Sequence, residues 1–172
     1  MSHNPPVLAK KVPGMPLPGN RVGRHGLVVR VALAALGVVA LAAPIADAKE
    51  IKGNNFVLQA TTAACKKGEE CTLTLRLEAQ GAYHINDSYP YKFTPAKKDD
   101  KPLSENVEFV KENFSKAAGD FKKDAEKIAT MTVKFKPTAA KGKIVGTYKM
   151  SVCSEQNCQL EQQEIQLDVD AK

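Results

Sequence analysis

Several short segments of this chain alternate strictly between apolar and polar residues, and this pattern sets the fold class. In Cys71 to Glu78 the apolar positions are Leu73, Leu75 and Leu77, with polar residues between them. A period of two is typical of a β-strand that buries one face and exposes the other. The pattern also predicts strands at Ile128 to Lys136, Lys143 to Cys153 and Glu164 to Asp170, and shorter strands at Phe56 to Thr61 and Tyr83 to Ile85.

Strands of this kind, separated by glycine and proline turns, predict an all-β antiparallel sandwich of two stacked sheets. One segment departs from the pattern, because Val107, Val110, Phe114 and Phe121 follow a helical spacing. We expect a short helix or an ordered loop near residues 105–125. The Lys97–Lys101 run, rich in Lys and Asp, predicts a solvated loop.

The N-terminus reads as a targeting segment. Five basic residues precede the apolar stretch Val31–Ala43, which is closed by Ala46-Asp47-Ala48, and this is the order of a cleavable secretory signal. The apolar stretch has 13 residues, whereas a membrane-spanning helix needs about 20. We therefore expect a signal peptide over residues 1–48 and one mature domain over residues 49–172, with no transmembrane segment, in the bacterial periplasm or outside the cell. An uncleaved anchor is the alternative.

The formal net charge of +6 is concentrated in that signal. Without residues 1–48, Lys and Arg fall from 25 to 20 and Asp and Glu from 19 to 18, which leaves a net charge of +2. This balance gives no reason to expect nucleic acid as a partner. Residues 49–172 contain one histidine and no Gly-rich phosphate loop, so we predict no metal and no other cofactor.

All four cysteines lie in the mature part. An even number in an exported chain indicates disulfides, and four cysteines allow three pairings. The short spacings favour Cys65 with Cys71 and Cys153 with Cys158. Cys71 is in phase with the apolar Leu73, so we expect the first bridge to be structural.

Cys153 and Cys158 enclose four polar residues between two predicted strands, the length of a common hairpin loop. Pairing them makes Lys143 face Asp168 across the ladder, an opposite-charge pair that supports this register. Cys153 is in phase with Ser151, so both sulfurs are expected to point away from the core. An accessible bridge suits thiol–disulfide exchange, and an inert local staple is the alternative.

Tyr83 and His84 lie in one of the short predicted strands. An imidazole titrates near neutral pH and can tune a neighbouring thiol. We therefore consider both residues as candidates for tuning the cysteine site, with a solvated surface histidine as the alternative.

Two stretches of the chain carry a family resemblance, Leu75 to Asn86 and Val145 to Cys158, the second continued by a strand to Val169. They resemble the N-terminal periplasmic domain of the thiol:disulfide interchange protein DsbD family. The resemblance implies an immunoglobulin-like sandwich in which Cys153 and Cys158 are the redox pair. It also implies a thioredoxin-like or DsbD-like periplasmic redox protein as the partner. Four residues separate the pair here, where the family usually has five.

Two functional hypotheses follow from the sequence. In the first, the chain exchanges disulfides or relays electrons with periplasmic thiol proteins through Cys153 and Cys158, which makes it a thiol-disulfide exchange protein. In the second, it is a secreted immunoglobulin-like binding or structural module whose two disulfides are inert.

Export makes a testable prediction. Because the basic leader, the apolar stretch and the small-residue motif occur in secretory order, the mature chain should begin at Lys49. N-terminal sequencing of the exported protein checks this. Recovery of residues before Val31 on that protein would rule out cleavage.

Overall fold

The computed structural model describes residues 45–172, which contain thirteen β-strands and no helix. The strands are β1 (Ile45–Lys52), β2 (Phe56–Ala63), β3 (Cys71–Ala79), β4 (His84–Ile85), β5 (Lys92–Pro95), β6 (Lys97–Lys98), β7 (Lys101–Pro102), β8 (Val107–Phe109), β9 (Phe114–Ser115), β10 (Phe121–Ala125), β11 (Ile128–Pro137), β12 (Lys141–Cys153) and β13 (Cys158–Asp170). No helix in this part of the chain has the length and apolar content needed to cross a membrane.

Most of the predicted signal peptide lies outside the described residues. Its last four residues, 45–48, form the first half of β1, which pairs with β2 from Ile45 opposite Ala63 to Lys52 opposite Val57. Residues 49–52 form the second half of β1, so the predicted cleavage after Ala48 would leave only this half of the strand in the mature chain.

The strands form two antiparallel sheets and one small hairpin. The larger sheet has the order β1-β2-β3-β11-β10, with β8 also pairing with β11, and the smaller has the order β13-β12-β5-β9, with β4 also pairing with β12. The apolar faces of the two sheets form one core. The protein is an antiparallel β-sandwich, as the alternation predicts, and it is of the immunoglobulin-like type that the resemblance implies. The predicted loop at Lys97–Lys101 is the exposed hairpin of β6 and β7.

The core consists of the inward-facing residues that the alternation predicts. Leu73, Leu75 and Leu77 of β3 are fully buried. The other predicted inward positions are buried as well: Ala129, Met131, Val133 and Phe135 of β11; Ile144, Tyr148, Met150 and Val152 of β12; Ile165, Leu167 and Val169 of β13. Each fully buried large aliphatic side chain contributes about 1.5–3 kcal/mol to folding.

The short helix considered near residues 105–125 is wrong, and the segment is ordered mainly as short strands rather than as a loop. The segment contains the short strands β8, β9 and β10, which join different sheets: β8 and β10 pair with β11, and β9 pairs with β5. Val107 and Phe114 are both buried, but one lies in each sheet. A single helix cannot place its apolar stripe in two sheets, and the left-handed backbone at Asn106 and Gly119 turns the chain between them.

The hairpin of β12 and β13 carries the second cysteine pair. The two strands pair without a register shift from Lys141 opposite Asp170 to Cys153 opposite Cys158. Lys143 therefore faces Asp168, which confirms the predicted register. The structure also contains both predicted disulfides, Cys65 with Cys71 and Cys153 with Cys158.

Gly146 lets β12 approach β5 closely. A Cβ atom at this position would collide with the fully buried Phe93 ring and lie 3.0 Å from the Thr94 carbonyl oxygen.

Because a packed core resists added volume, Gly146→Ala should lower the free energy of unfolding by about 1–3 kcal/mol. Urea denaturation measures this loss. The control Thr147→Ala changes the next, half-buried residue and should cost less than about 1 kcal/mol. Equal losses in the two variants would contradict the close approach.

Candidate functional site

The turn at residues 154–157 brings Cys153 and Cys158 together. The Ser154 backbone N–H donates a 2.8 Å hydrogen bond to the Asn157 carbonyl oxygen, and the Ser154 Oγ accepts 3.3 Å bonds from the backbone N–H groups of Gln156 and Asn157. Along an antiparallel ladder, hydrogen-bonded pairs alternate with non-hydrogen-bonded pairs, and the side chains are closest in the second kind. Cys153 and Cys158 are a pair of that second kind, with their Cα atoms 4.0 Å apart.

The two cysteines of this bridge differ in burial. Cys158 is exposed, whereas Cys153 is only 6 % exposed. Cys153 lies between two strands, because β12 pairs with β13 on one side and with β4 on the other, where His84 is opposite Cys153. Cys158 belongs to the edge strand β13. Cys153 is not part of the core cluster, which agrees with the outward direction that the strand phase predicts.

A third polar residue beside the bridge, Asn86, was not among the site residues predicted from the sequence. Its side-chain amide nitrogen lies 4.0 Å from the Cys158 sulfur and donates a 3.2 Å hydrogen bond to the Ser151 hydroxyl. Its amide oxygen accepts a 3.0 Å bond from the Ser88 backbone N–H, which fixes the orientation of the amide. An N–H donor beside a sulfur favours the thiolate over the thiol. The sequence does contain an indication of this position: Asn86 follows His84 by two residues, and residues two apart in a strand lie on the same face.

The structure also brings both predicted tuning residues to this hairpin. The Tyr83 hydroxyl donates a 2.9 Å hydrogen bond to the Asn157 side-chain oxygen and so ties the β3–β4 turn to the hairpin loop. His84, half-buried, is the cross-strand partner of Cys153. Directly opposed residues of antiparallel strands have their side chains on the same face, so the imidazole shares the face of the disulfide.

The segment after His84 is anchored by Asp87. The Lys123 ammonium donates a 2.7 Å hydrogen bond to the Asp87 carboxylate and holds the pKa of Asp87 below its usual range, with smaller contributions from the charges of Lys123, Lys116 and His84. The Lys116 ammonium also donates to the Asp87 carbonyl oxygen. Asp87 is therefore ionised at neutral pH, and this segment is tied to β10.

Tyr91 also anchors the segment that follows His84. Its hydroxyl donates a 2.5 Å hydrogen bond to the Ser151 carbonyl oxygen and accepts a 3.1 Å bond from the Asn86 backbone N–H. Its ring stacks on Phe121 with the ring centroids 4.0 Å apart. Burial raises the pKa of Tyr91, so the phenol stays neutral and keeps Asn86 in place beside the cysteines.

The other bridge is built differently. Cys71 is 3 % exposed and belongs to the core cluster, and Cys65 is half-buried against it. Cys65 forms a parallel bridge with Ala171, and its carbonyl oxygen accepts a 3.0 Å hydrogen bond from the Lys172 backbone N–H. This disulfide ties the chain just after β13 to the start of β3 and has one cysteine, Cys71, in the core, which suits the predicted structural role.

The chemistry available at the hairpin is that of the disulfide itself. All four cysteines are in disulfides, and within residues 45–172 no three His, Cys, Asp or Glu side chains come together as metal ligands. An open cleft beside the turn is lined by Ala82, Ser154, Glu155 and Gln156. The hairpin therefore presents one disulfide with an exposed end, a neighbouring amide donor and an imidazole on the same face.

Comparison with known proteins adds no relative. No protein-family model matches the sequence, and the searches of curated proteins and of solved structures gave no significant match.

Proposed function

We propose that the chain is an exported module that exchanges disulfides with periplasmic thiol proteins through Cys153 and Cys158. The observation that carries this proposal is the asymmetry of the bridge, in which an exposed Cys158 is bonded to a Cys153 that is 6 % exposed. Disulfide exchange requires a thiolate to reach one sulfur in line with the bond. Cys158, an exposed residue of an edge strand, meets that requirement better than Cys71 in the core or the half-buried Cys65.

The asymmetry assigns a role to each cysteine. The partner's thiolate attacks the sulfur of Cys158 and forms a mixed disulfide with it, while the electron pair of the broken bond leaves on the sulfur of Cys153. A second thiol of the partner then attacks the partner's own sulfur and releases Cys158 as a thiolate. The partner's dithiol is oxidised to a disulfide, and Cys153 and Cys158 take up two electrons and two protons.

Neighbouring groups support both steps. The Asn86 amide N–H, 4.0 Å from the Cys158 sulfur, stabilises the thiolate that the second step releases. His84, the cross-strand neighbour of Cys153, gives a proton to the sulfur that leaves in the first step of the proposed exchange. The Tyr83 bond to Asn157 and the Tyr91 bond to Ser151 hold these groups in position.

The resemblance to the DsbD N-terminal domain supports the same function. In that resemblance Cys153 and Cys158 correspond by position to the family's redox pair, and these residues lie on adjoining strands of a sandwich. A thioredoxin-like or DsbD-like protein is then the partner, and the periplasm is the compartment that the predicted signal and the two disulfides fit.

A secreted binding or structural module with inert disulfides is the competing function. The burial of Cys153 and of Cys71 favours it, because sulfurs that reagents cannot reach do not exchange. The two functions differ in how the bridges respond to a reductant.

The first test is selective reduction. A mild dithiol should reduce the Cys153–Cys158 bridge and leave the Cys65–Cys71 bridge intact, because Cys158 is exposed and Cys71 lies in the core. Alkylation of the new thiols followed by peptide mass mapping identifies which bridge opened. Equal resistance of both bridges would favour the inert module.

The second test separates fold from function. Replacing Cys153 and Cys158 together by serine opens a loop of six residues and should lower the free energy of unfolding by only about 2 kcal/mol. The folded variant should no longer exchange with a reduced thioredoxin-like protein. The matched variant, with Cys65 and Cys71 replaced by serine, loses the other bridge and should keep the exchange. Exchange that survives in the first variant would refute the assignment.

A further inference from the structure

The outer face of the smaller sheet carries rows of cross-strand neighbours, and the disulfide belongs to the row at one end. Paired residues of neighbouring strands form rows that cross this face. The first row is His84, Cys153 and Cys158; the second contains Ser151 and Leu160; the third is Ser115, Lys92, Lys149 and Gln162. All of these residues share the face of the disulfide, because positions two apart along a strand point the same way.

Leu160 in the second row is an apolar side chain without cover. It is 69 % exposed, more than Leu103 at 44 % or Val110 at 48 %, the two other exposed large apolar residues of the described part of the chain. It stands two residues after Cys158, which is about 7 Å along β13. A protein that brings a thiol to Cys158 therefore contacts Leu160 as well.

The third row carries two positive charges, those of Lys92 and Lys149. Lys92 and Lys149 are directly opposite each other, an arrangement that destabilises a sheet. Within residues 48–172 neither ammonium has a carboxylate within ion-pair distance. The outer members of the row, Ser115 and Gln162, are uncharged.

The same hairpin places opposite charges together elsewhere. Lys143 faces Asp168 and Lys141 faces Asp170, whereas Lys149 faces Gln162 and Lys92. One row further along, Glu164 accepts a hydrogen bond from Gln166 and makes no ion pair with Lys149. The positive row is thus a local exception on a hairpin whose other lysines face acids.

We propose that this face is the docking surface for the thiol partner, and that the partner is an acidic protein. Leu160 contacts an apolar side chain beside the partner's reactive cysteine, and Lys92 and Lys149 bind carboxylates about 13 Å from it, the distance of four residues along β12. A like-charge pair that costs stability in the free protein is neutralised in the complex. The inference rests on the proposed exchange at Cys153 and Cys158.

The test uses two synthetic peptides with one cysteine and an adjacent leucine. One peptide carries three aspartates beginning four residues after the cysteine, and the other carries asparagines at the same positions. The rate of mixed-disulfide formation with the oxidised protein is followed by mass spectrometry. Electrostatic steering raises association rates by about tenfold or more at low salt, so we expect the acidic peptide to react about tenfold faster than the neutral one, and added salt to remove the difference.

The charge variant is Lys92→Glu with Lys149→Glu. It should slow the acidic peptide on the order of tenfold and leave the neutral peptide within about twofold. The control is Lys98→Glu with Lys101→Glu, because these exposed lysines are also a directly opposed cross-strand pair but belong to the separate β6–β7 hairpin. This control should leave both rates unchanged.

The apolar variant is Leu160→Ser, and its control is Leu103→Ser at another exposed leucine. Leu160→Ser should slow both peptides several-fold, and Leu103→Ser should slow neither.

Dithiothreitol, a small uncharged dithiol, separates the two possible failures. If it reduces the Cys153–Cys158 bridge and spares the Cys65–Cys71 bridge, but the acidic and neutral peptides react equally fast, the docking surface is wrong and the proposed function stands. Equal effects of a variant and its control overturn the docking surface in the same way. If dithiothreitol cannot reduce the bridge, the proposed function fails, and the docking surface fails with it.

Discussion

The pairing of β12 with β13 is the constraint on which the rest of the structure depends. Thirteen residues of each strand face each other without a register shift, and a shift of one residue would move every side chain to the opposite face. In the observed register Ile165, Leu167 and Val169 enter the core, while Cys158 and Leu160 lie on the outer side. The register that directs these side chains into the core therefore also fixes the position of the disulfide at the end of the ladder.

The environment of that disulfide comes from a second, much shorter pairing. The two-residue strand β4 covers Cys153 from the side opposite β13 and places His84 and Asn86 beside the bridge. Tyr91 holds this segment through its bonds to Ser151 and Asn86. Cys153 is thereby enclosed while Cys158 stays exposed, and in the proposed exchange this difference makes Cys158 the cysteine that is attacked.

The sequence predicts the parts of this arrangement that depend on neighbouring residues and fails where distant segments decide. Alternation alone predicts the inward faces of β3, β11, β12 and β13, and cysteine spacing predicts both bridges. The burial of Cys153 and the contact of Asn86 with Cys158 depend on β4, whose pairing spans more than sixty residues. The apolar residues from Val107 to Phe121 have a helix-like spacing, but they belong to short strands of two different sheets. Sequence periodicity alone cannot distinguish this arrangement from a helix.

The reduction potential of each bridge tests most directly whether Cys153 and Cys158 form a working exchange pair. Equilibration of the protein in redox buffers of known potential, followed by alkylation and peptide mass mapping, gives the two values separately. The account predicts a potential of about −120 to −270 mV for Cys153–Cys158, in the range of exchange proteins, and a value below about −300 mV for Cys65–Cys71. Values below about −300 mV for both bridges would contradict it.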